Sequence, residues 1–475
     1  MTTPTAGTLT WRIRTMFAAG QIPEGVQTTS FGFFLLFFYN QVLGLSGFLA
    51  SMAIVVALLV DAVSDPIIGS WSDSLRSRWG RRHPFMYAGA APFAICFYFL
   101  FSPPTDLDEM QIFVWLIVFS VLTRTTQSIY SIPHTSLTAE LSNDYQERTL
   151  LSSLRSLMQS VGSLMVFLIG LQIFFGATAD YPNGQLNPEA YPKFGAMFAV
   201  VIFVGVLLTA WGTHSHIPYL PQANNNRFSL RQVAREARMA FGFRSFKAVV
   251  LTAVLFFMTM GMVSALSIYL GTLYFQFSLE LIGLSFPASV LGSFLGAALA
   301  TPLGRFFQEK KYLLMGGLAW YAVWNTLPII LSLLGLFPKP GDPTLFYLVM
   351  TSNAICAMGI GVLTVMIGSM IADITDQHEE KHGSRSEGIY FAASSFAYKA
   401  IGGFGIVISG VVVDLAGIQP NATVETIDPQ SLQTLAMAMG PGVLIMIGVT
   451  VVAASFYDLS RAEHSRISTA LLAEN

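Results

Sequence analysis

Charge is scarce in this sequence. Asp, Glu, Lys and Arg make up only 11% of its 475 residues, about half of what a soluble domain carries. That scarcity excludes a solvated globular chain. With 53% hydrophobic residues and a mean hydropathy of +0.59, the composition is that of a polytopic membrane protein in a lipid bilayer. Cysteine is nearly absent: Cys96 and Cys356 lie in separate apolar runs without paired or metal-ligand spacing. A disulfide framework and a thiolate metal site are thereby excluded, and core packing is expected for both. No Walker-type loop is present, and the glycines sit inside apolar runs as helix-packing residues, so ATP coupling is not expected. A net charge of −2 supplies no field for nucleic acid. A cleavable signal layout is missing too, because the first apolar run is long, contains Pro23 and Glu24, and flows into a second.

What is present is apolar length. Runs of about 20 residues recur near 16–43, 47–72, 84–102, 110–138, 150–175, 193–214, 248–276, 280–304, 312–336, 345–370, 388–415 and 434–457. They predict an all-α chain of twelve transmembrane helices. Basic residues alternate between loops: Arg76, Arg78, Arg81 and Arg82 after span two, Arg148 after span four, Arg227 to Lys247 after span six, Lys310 and Lys311 after span eight. By the positive-inside rule both termini are cytoplasmic, in a bacterial-type inner membrane. The basic loop from His216 to Phe246 divides the spans six and six. The expected organisation is a first six-helix bundle over 1–216, a cytoplasmic linker over 217–246, and a second bundle over 247–475. Ser229 caps an expected short helix, Leu230 to Met239. No internal sequence repeat is visible, so duplication rests on the count of spans alone.

The stretch around which the chain is organised is Asp61-Ala-Val-Ser-Asp65-Pro-Ile-Ile-Gly69. A helix places Asp61 and Asp65 one turn apart on one face. Two carboxylates at membrane depth need a neutralising partner, and a proton or a bound cation is one. Pro66 frees the carbonyl of Ala62, another oxygen of the kind hard cations accept. The alternative is a carboxylate cluster paired with an arginine elsewhere in the bundle.

Further polar residues fall inside apolar spans. Span one carries Pro23, Glu24 and Gln27; Glu24 lies either along a central path or at a solvated helix end. In span four Arg124, Gln127, Ser128, Ser131, His134, Thr135 and Thr138 recur at three- and four-residue spacing around Pro133. Such a stripe faces a cavity or another helix, not lipid. Arg124 is a partner for Asp61 or for a substrate, and His134 is either a proton carrier or a hydrogen-bonded structural histidine. Arg155, among polar residues of span five, faces inward or snorkels. Between spans ten and eleven, Asp373, Asp376, His378, Glu379, Lys381 and Arg385 suit a short amphipathic helix closing one side, with a solvated loop as the alternative. The zinc-like spacing of His378, Glu379 and His382 is not expected to bind metal in such a loop. Tyr398 and Lys399 follow in span eleven. A mid-span lysine requires a carboxylate, and Asp61 and Asp65 are the candidates.

Taken together, Asp61-x-x-x-Asp65-Pro-x-x-Gly69, Arg76-Ser-Arg-Trp-Gly80, the Asp373 to Glu387 segment and Lys399 resemble the glycoside–pentoside–hexuronide:cation symporters. Tyr39 to Ser46 and Ile132-Pro133 fit as well, so the resemblance covers nearly the whole chain. It implies a major facilitator fold with alternating access and no enzyme activity. It also implies a small-molecule substrate, no cofactor beyond a coupling Na+ or H+, and an expected monomer. Asp61, Ser64, Asp65 and Ser128 then correspond to cation-binding positions. Arg155 and Lys399 correspond to basic residues linking the two ligands, with Lys399 as the coupling residue. Glu24, Arg124, Gln127, Ser131, His134, Thr135, Arg155 and Tyr398 are the candidate substrate contacts, and Asp73, Arg78, Arg82, Asp373, Asp376 and Arg385 the candidate gating charges. The family's sugar-gripping aspartates are replaced by Gly25 and Ser131, and its flanking aromatics by Gln127 and Thr135, so a melibiose-type grip is not expected. The implied function is cation-coupled symport of a sugar, glycoside or sugar acid. A lysolipid-like amphipathic solute is the alternative, because related carriers share the Asp-x-x-x-Asp-Pro element.

Overall fold

The computed structural model describes residues 9–142, 144–181, 183–220, 241–307, 309–382, 390, 394 and 403–474, and every regular element among them is helical. The chain clusters into two compact units, Met1–Phe228 with Gln419–Ala422, and Ser229–Ile418 with Thr423–Asn475.

The first unit holds α1 (Trp11–Ala19), α2 (Ile22–Thr29), α3 (Gly47–Ser74), α4 (His83–Leu100), α5 (Glu109–Glu140), α6 (Tyr145–Met165) and α7 (Ala190–His214). Two π-helical segments, Ser30–Leu35 and Phe38–Val42, extend α2, and a third, Val166–Phe174, extends α6. The second unit holds α8 (Arg244–Tyr269), α9 (Leu279–Phe306), α10 (Lys310–Leu333), α11 (Pro343–His382), α12 (Phe404–Leu415), α13 (Pro429–Met437), α14 (Val443–Ser455) and α15 (Arg461–Glu474). Helix starts follow the local sequence. Asp108 and Gln111 form a reciprocal capping box on α5, and the Ser46, Asp144, Ser278 and Asp428 side chains each accept a first-turn backbone N–H, satisfying donors that otherwise lack partners.

Ten helices among the described residues are long and apolar enough to cross a membrane. The first expected span is not among them because it is broken. Pro23 lies in the first turn of α2 and has no N–H to give to the turn before it, and the N–H groups of Gly20 and Gln21 tighten onto the carbonyls of Phe17 and Ala18. Neighbouring helices then supply side-chain donors. His134 Nε2 donates to the Phe17 carbonyl (2.8 Å), Thr209 to the same oxygen (3.3 Å), and the Tyr130 hydroxyl to the Gly20 carbonyl (2.6 Å).

Span ten also differs from expectation. Among the described residues no separate helix begins after Met370; α11 runs on to His382, because no glycine or proline interrupts Ile371 to His382. The linker helix expected at Leu230–Met239, and the beginning of span eleven, lie outside the described residues.

Packing order is the same in both units. In the first, α3 and α4 pack on α5, α4 also on α7, and the α1–α2 pair on α6 and α7; in the second, α9 and α10 pack on α11, α10 also on α14, and α8 on α12 and α14.

Candidate functional site

Helix α3 carries Asp61 and Asp65 on the face packed against α5. Ser128 of α5 reaches both: its Oγ lies 2.7 Å from Asp61 Oδ1 and 2.6 Å from Asp65 Oδ1. Asp61 is buried at 3% exposure. One turn earlier on α5, Arg124 places Nη1 3.4 Å from Asp61 Oδ2, while its guanidinium lies over the Phe31 ring at 4.9 Å, a cation–π placement that stabilises a desolvated arginine. Arg124 thus takes the carboxylate, one of the two partners read for it from the sequence. Ser64 turns its hydroxyl onto the carbonyl of Asp61 (3.1 Å).

Further along α5 the polar stripe continues as Gln127 and Ser131, both half-buried, and Thr135, exposed. Arg155 of α6 bridges to this stripe. Its Nη2 donates to Thr135 (2.8 Å), its Nη1 to Thr138 (3.1 Å), and Nε and Nη2 both donate to Gln21 Oε1 (3.1 and 3.0 Å). Gln21 Nε2 in turn donates to Glu24. His134 is 1% exposed, stacked on Tyr130 at 5.3 Å and bonded to the Phe17 carbonyl. Gly25 marks a close helix crossing, since a Cβ there would lie 2.0 Å from the Gln159 carbonyl oxygen. A carboxylate has no room at that position.

The charged helix ends form two separate networks. In the first unit Arg82 pairs with Asp73 and Glu140, donates to Ser72 (2.6 Å), and shares Glu140 with Arg81. Arg78 lies apart, over Trp79 at 5.6 Å. In the second unit Lys310 holds Asp373 (2.6 Å), His464 approaches Asp376 (3.1 Å) and Asp373 (3.5 Å), and Arg466 pairs with Glu380 (2.9 Å). His378 is buried and bonded to the Tyr390 hydroxyl (3.0 Å). Among the described residues no group of three or more His, Cys, Asp or Glu is placed to hold a metal. Arg385, Tyr398 and Lys399 lie outside the described residues.

Sequence reasoning missed Gln21, Tyr130, Glu140 and His464. Pro23 was the available signal for the first two, since a proline inside an apolar run marks where carbonyls and side chains turn toward partners.

The chain is 25% identical to the isoprimeverose transporter of Lactiplantibacillus pentosus over 90% of its length and 85% of the relative's. It is 24% identical to the putative glycoside/cation symporter YagG of Escherichia coli (strain K12), over 98% and 95%. The crystal structure of a D-xylose–proton symporter superimposes with a TM-score of 0.66 at 16% identity, covering 94% of this chain and 97% of that one, which establishes the major facilitator fold. The family model described as MFS/sugar transport protein matches residues 16–461. The chain therefore belongs to the MFS/sugar transport family, in line with the symporter resemblance carried by Asp61, Asp65 and Gly69, and is a multi-pass membrane transporter, not an enzyme.

Proposed function

We propose that the protein is a secondary symporter that carries a sugar or glycoside together with a proton. One observation carries this reading: helix α5 bears both Ser128, which joins the Asp61 and Asp65 carboxylates, and Thr135, which holds Arg155. The two lie seven residues apart, two turns and about 10 Å along one helix face. An ion at the first site and a substrate at the second then act on the same helix, and Pro133 between them removes a backbone hydrogen bond from it. Symport requires that both ligands bias one equilibrium, and a shared helix supplies the link.

The proton is favoured by a count of hydrogens. Two contacts of 2.6 and 2.7 Å join three oxygens, and each needs a hydrogen between its atoms. The Ser128 hydroxyl has one. We assign the transported proton to Asp65, because Asp61 already pairs with Arg124. The remaining features of the reading are cytoplasmic termini, an inner-membrane location and a monomer. A lysolipid is the weaker alternative, since Gln127, Ser131, Thr135 and Arg155 offer hydrogen bonds and not an apolar groove.

The test is uptake of labelled isoprimeverose and xylose into proteoliposomes without sodium, with and without an imposed pH gradient. Accumulation that follows the pH gradient is expected. Accumulation that requires sodium and ignores pH contradicts the ion assignment, and uptake of neither sugar under any gradient contradicts the substrate class.

A further inference from the structure

We infer that Gln21 is a positioning residue for the substrate, acting through Arg155. The inference rests on the reading of the Arg155 face as the substrate wall. A half-buried guanidinium such as that of Arg155 gains most from a carboxylate partner. Here all four hydrogen bonds of Arg155 end on neutral oxygens, two on Gln21 Oε1 and one each on Thr135 and Thr138. Gln21 is 4% exposed and its amide is used at both ends, Oε1 toward Arg155 and Nε2 toward Glu24. The amide is therefore a neutral spacer between a cation and an anion.

Two consequences follow. The guanidinium feels Glu24 through the Gln21 amide and not by direct contact, so its N–H groups are not closed off by a bidentate carboxylate. Its orientation is also fixed, because the side-on contact of Nε and Nη2 with one oxygen sets the guanidinium plane, and the threonines hold its far edge. Of five N–H groups four are used, and the one left, on Nη1, is the donor offered to a hydroxyl or carboxylate oxygen of the sugar. Gln21 reaches this place because the first span breaks at Gly20 and Gln21; in an unbroken helix its amide would follow the regular face.

The experiment has two arms on the purified full-length protein. The first is the structure of the Gln21→Ala variant, which needs no ligand. Losing two of four hydrogen bonds, Arg155 is expected to swing off Thr135 and Thr138 toward the Glu24 carboxylate that Gln21 otherwise spaces from it. The second is isoprimeverose transport, where loss of a hydrogen bond to a charged group corresponds to about a tenfold rise in KM with maximal rate little changed. Gln21→Glu, which restores an acceptor to Arg155, is expected to return the guanidinium to the threonines. A merely structural role would lower thermal stability and leave KM alone. Arg155 staying on both threonines in Gln21→Ala overturns the positioning role. A displaced Arg155 with unchanged KM overturns instead the placement of the substrate wall.

Discussion

The two units share a scaffold and differ in what fills it. Each repeats the same five helix pairings, and each joins the start of its third span to the end of its fourth by an ion pair, Arg82 with Glu140 in one and Lys310 with Asp373 in the other. The first span of each also ends alike. In the first unit Leu43 and Leu45 donate to Phe38 and Tyr39, Gly44 has φ +79°, and Ser46 caps the next helix; in the second, Phe275 and Phe277 donate to Leu270 and Gly271, Gln276 has φ +55°, and Ser278 caps. Counted from those capping serines, Ser293 and Ala297 occupy the positions of Asp61 and Asp65. There α9 meets α11 through glycine: a Cβ on Gly292 would lie 2.1 Å from the Ala354 oxygen, and one on Gly296 1.9 Å from that of Met358. Where one unit places carboxylates and a serine between its second and fourth spans, the other brings backbones together. Close backbone packing makes that helix pair a frame, whereas the polar pair of the first unit brings Asp61, Asp65, Ser128 and Arg124 together. The proposed coupling site sits where the two copies of the scaffold diverge.

The comparison breaks most completely if the polar pair is made inert. Asp61→Asn and Asp65→Asn are each expected to reduce gradient-driven sugar accumulation to background while the purified protein melts near the wild-type temperature; accumulation at wild-type levels in either would remove that residue from coupling. On the frame side, Gly296→Leu must displace the α11 backbone. Overpacking of this severity costs about 3 kcal/mol or more, read as loss of folded, monodisperse protein, and normal yield would show that α9 and α11 can separate.

The ion pairs sharpen the comparison at smaller magnitude. Glu140 has a side-chain exposure of 7% and holds two arginines, so Glu140→Gln removes the charge shared by Arg81 and Arg82 and leaves Arg82 only the half-exposed carboxylate of Asp73, a loss of about 2 kcal/mol. Lys310 is 38% exposed and screened by water, so Lys310→Met is expected to cost under about 1 kcal/mol. Denaturation midpoints of the two variants give the ranking, and equal midpoints would refute it. The smallest effect is backbone strain. Gln276 occupies a left-handed conformation that Gly44 adopts without penalty, so Gln276→Gly should stabilise by about 0.5–1 kcal/mol and Gly44→Gln destabilise by about 1, both visible in thermal melts.

Much of the frame was legible in sequence. Apolar length marked the spans, and four-residue spacing put Asp61 and Asp65 on one face and ran the α5 stripe from Arg124 to Thr138. What stayed hidden had physical reasons. The shared scaffold of the units resides in dihedral angles, caps and pairings that Gly44 and Gln276, or Arg82 and Lys310, satisfy with different residues, so no repeat shows in the letters. Gln21 was passed over because its role depends on the helix break beside it, and a proline tells of a break without telling which side chain the break releases. Glu140 looked like an ordinary helix-end glutamate; only the fold brings Arg81 and Arg82, some 58 residues away, onto it.

The central claim is that the Asp61–Ser128–Asp65 cluster carries the coupling proton. Its most direct test is the pH of a weakly buffered, sodium-free suspension of proteoliposomes as isoprimeverose is added. The account predicts alkalinisation of the outer medium with wild-type protein, as protons enter with sugar, and none with Asp65→Asn. Sugar entry without any change in pH, or undiminished alkalinisation in the Asp65→Asn variant, would contradict it.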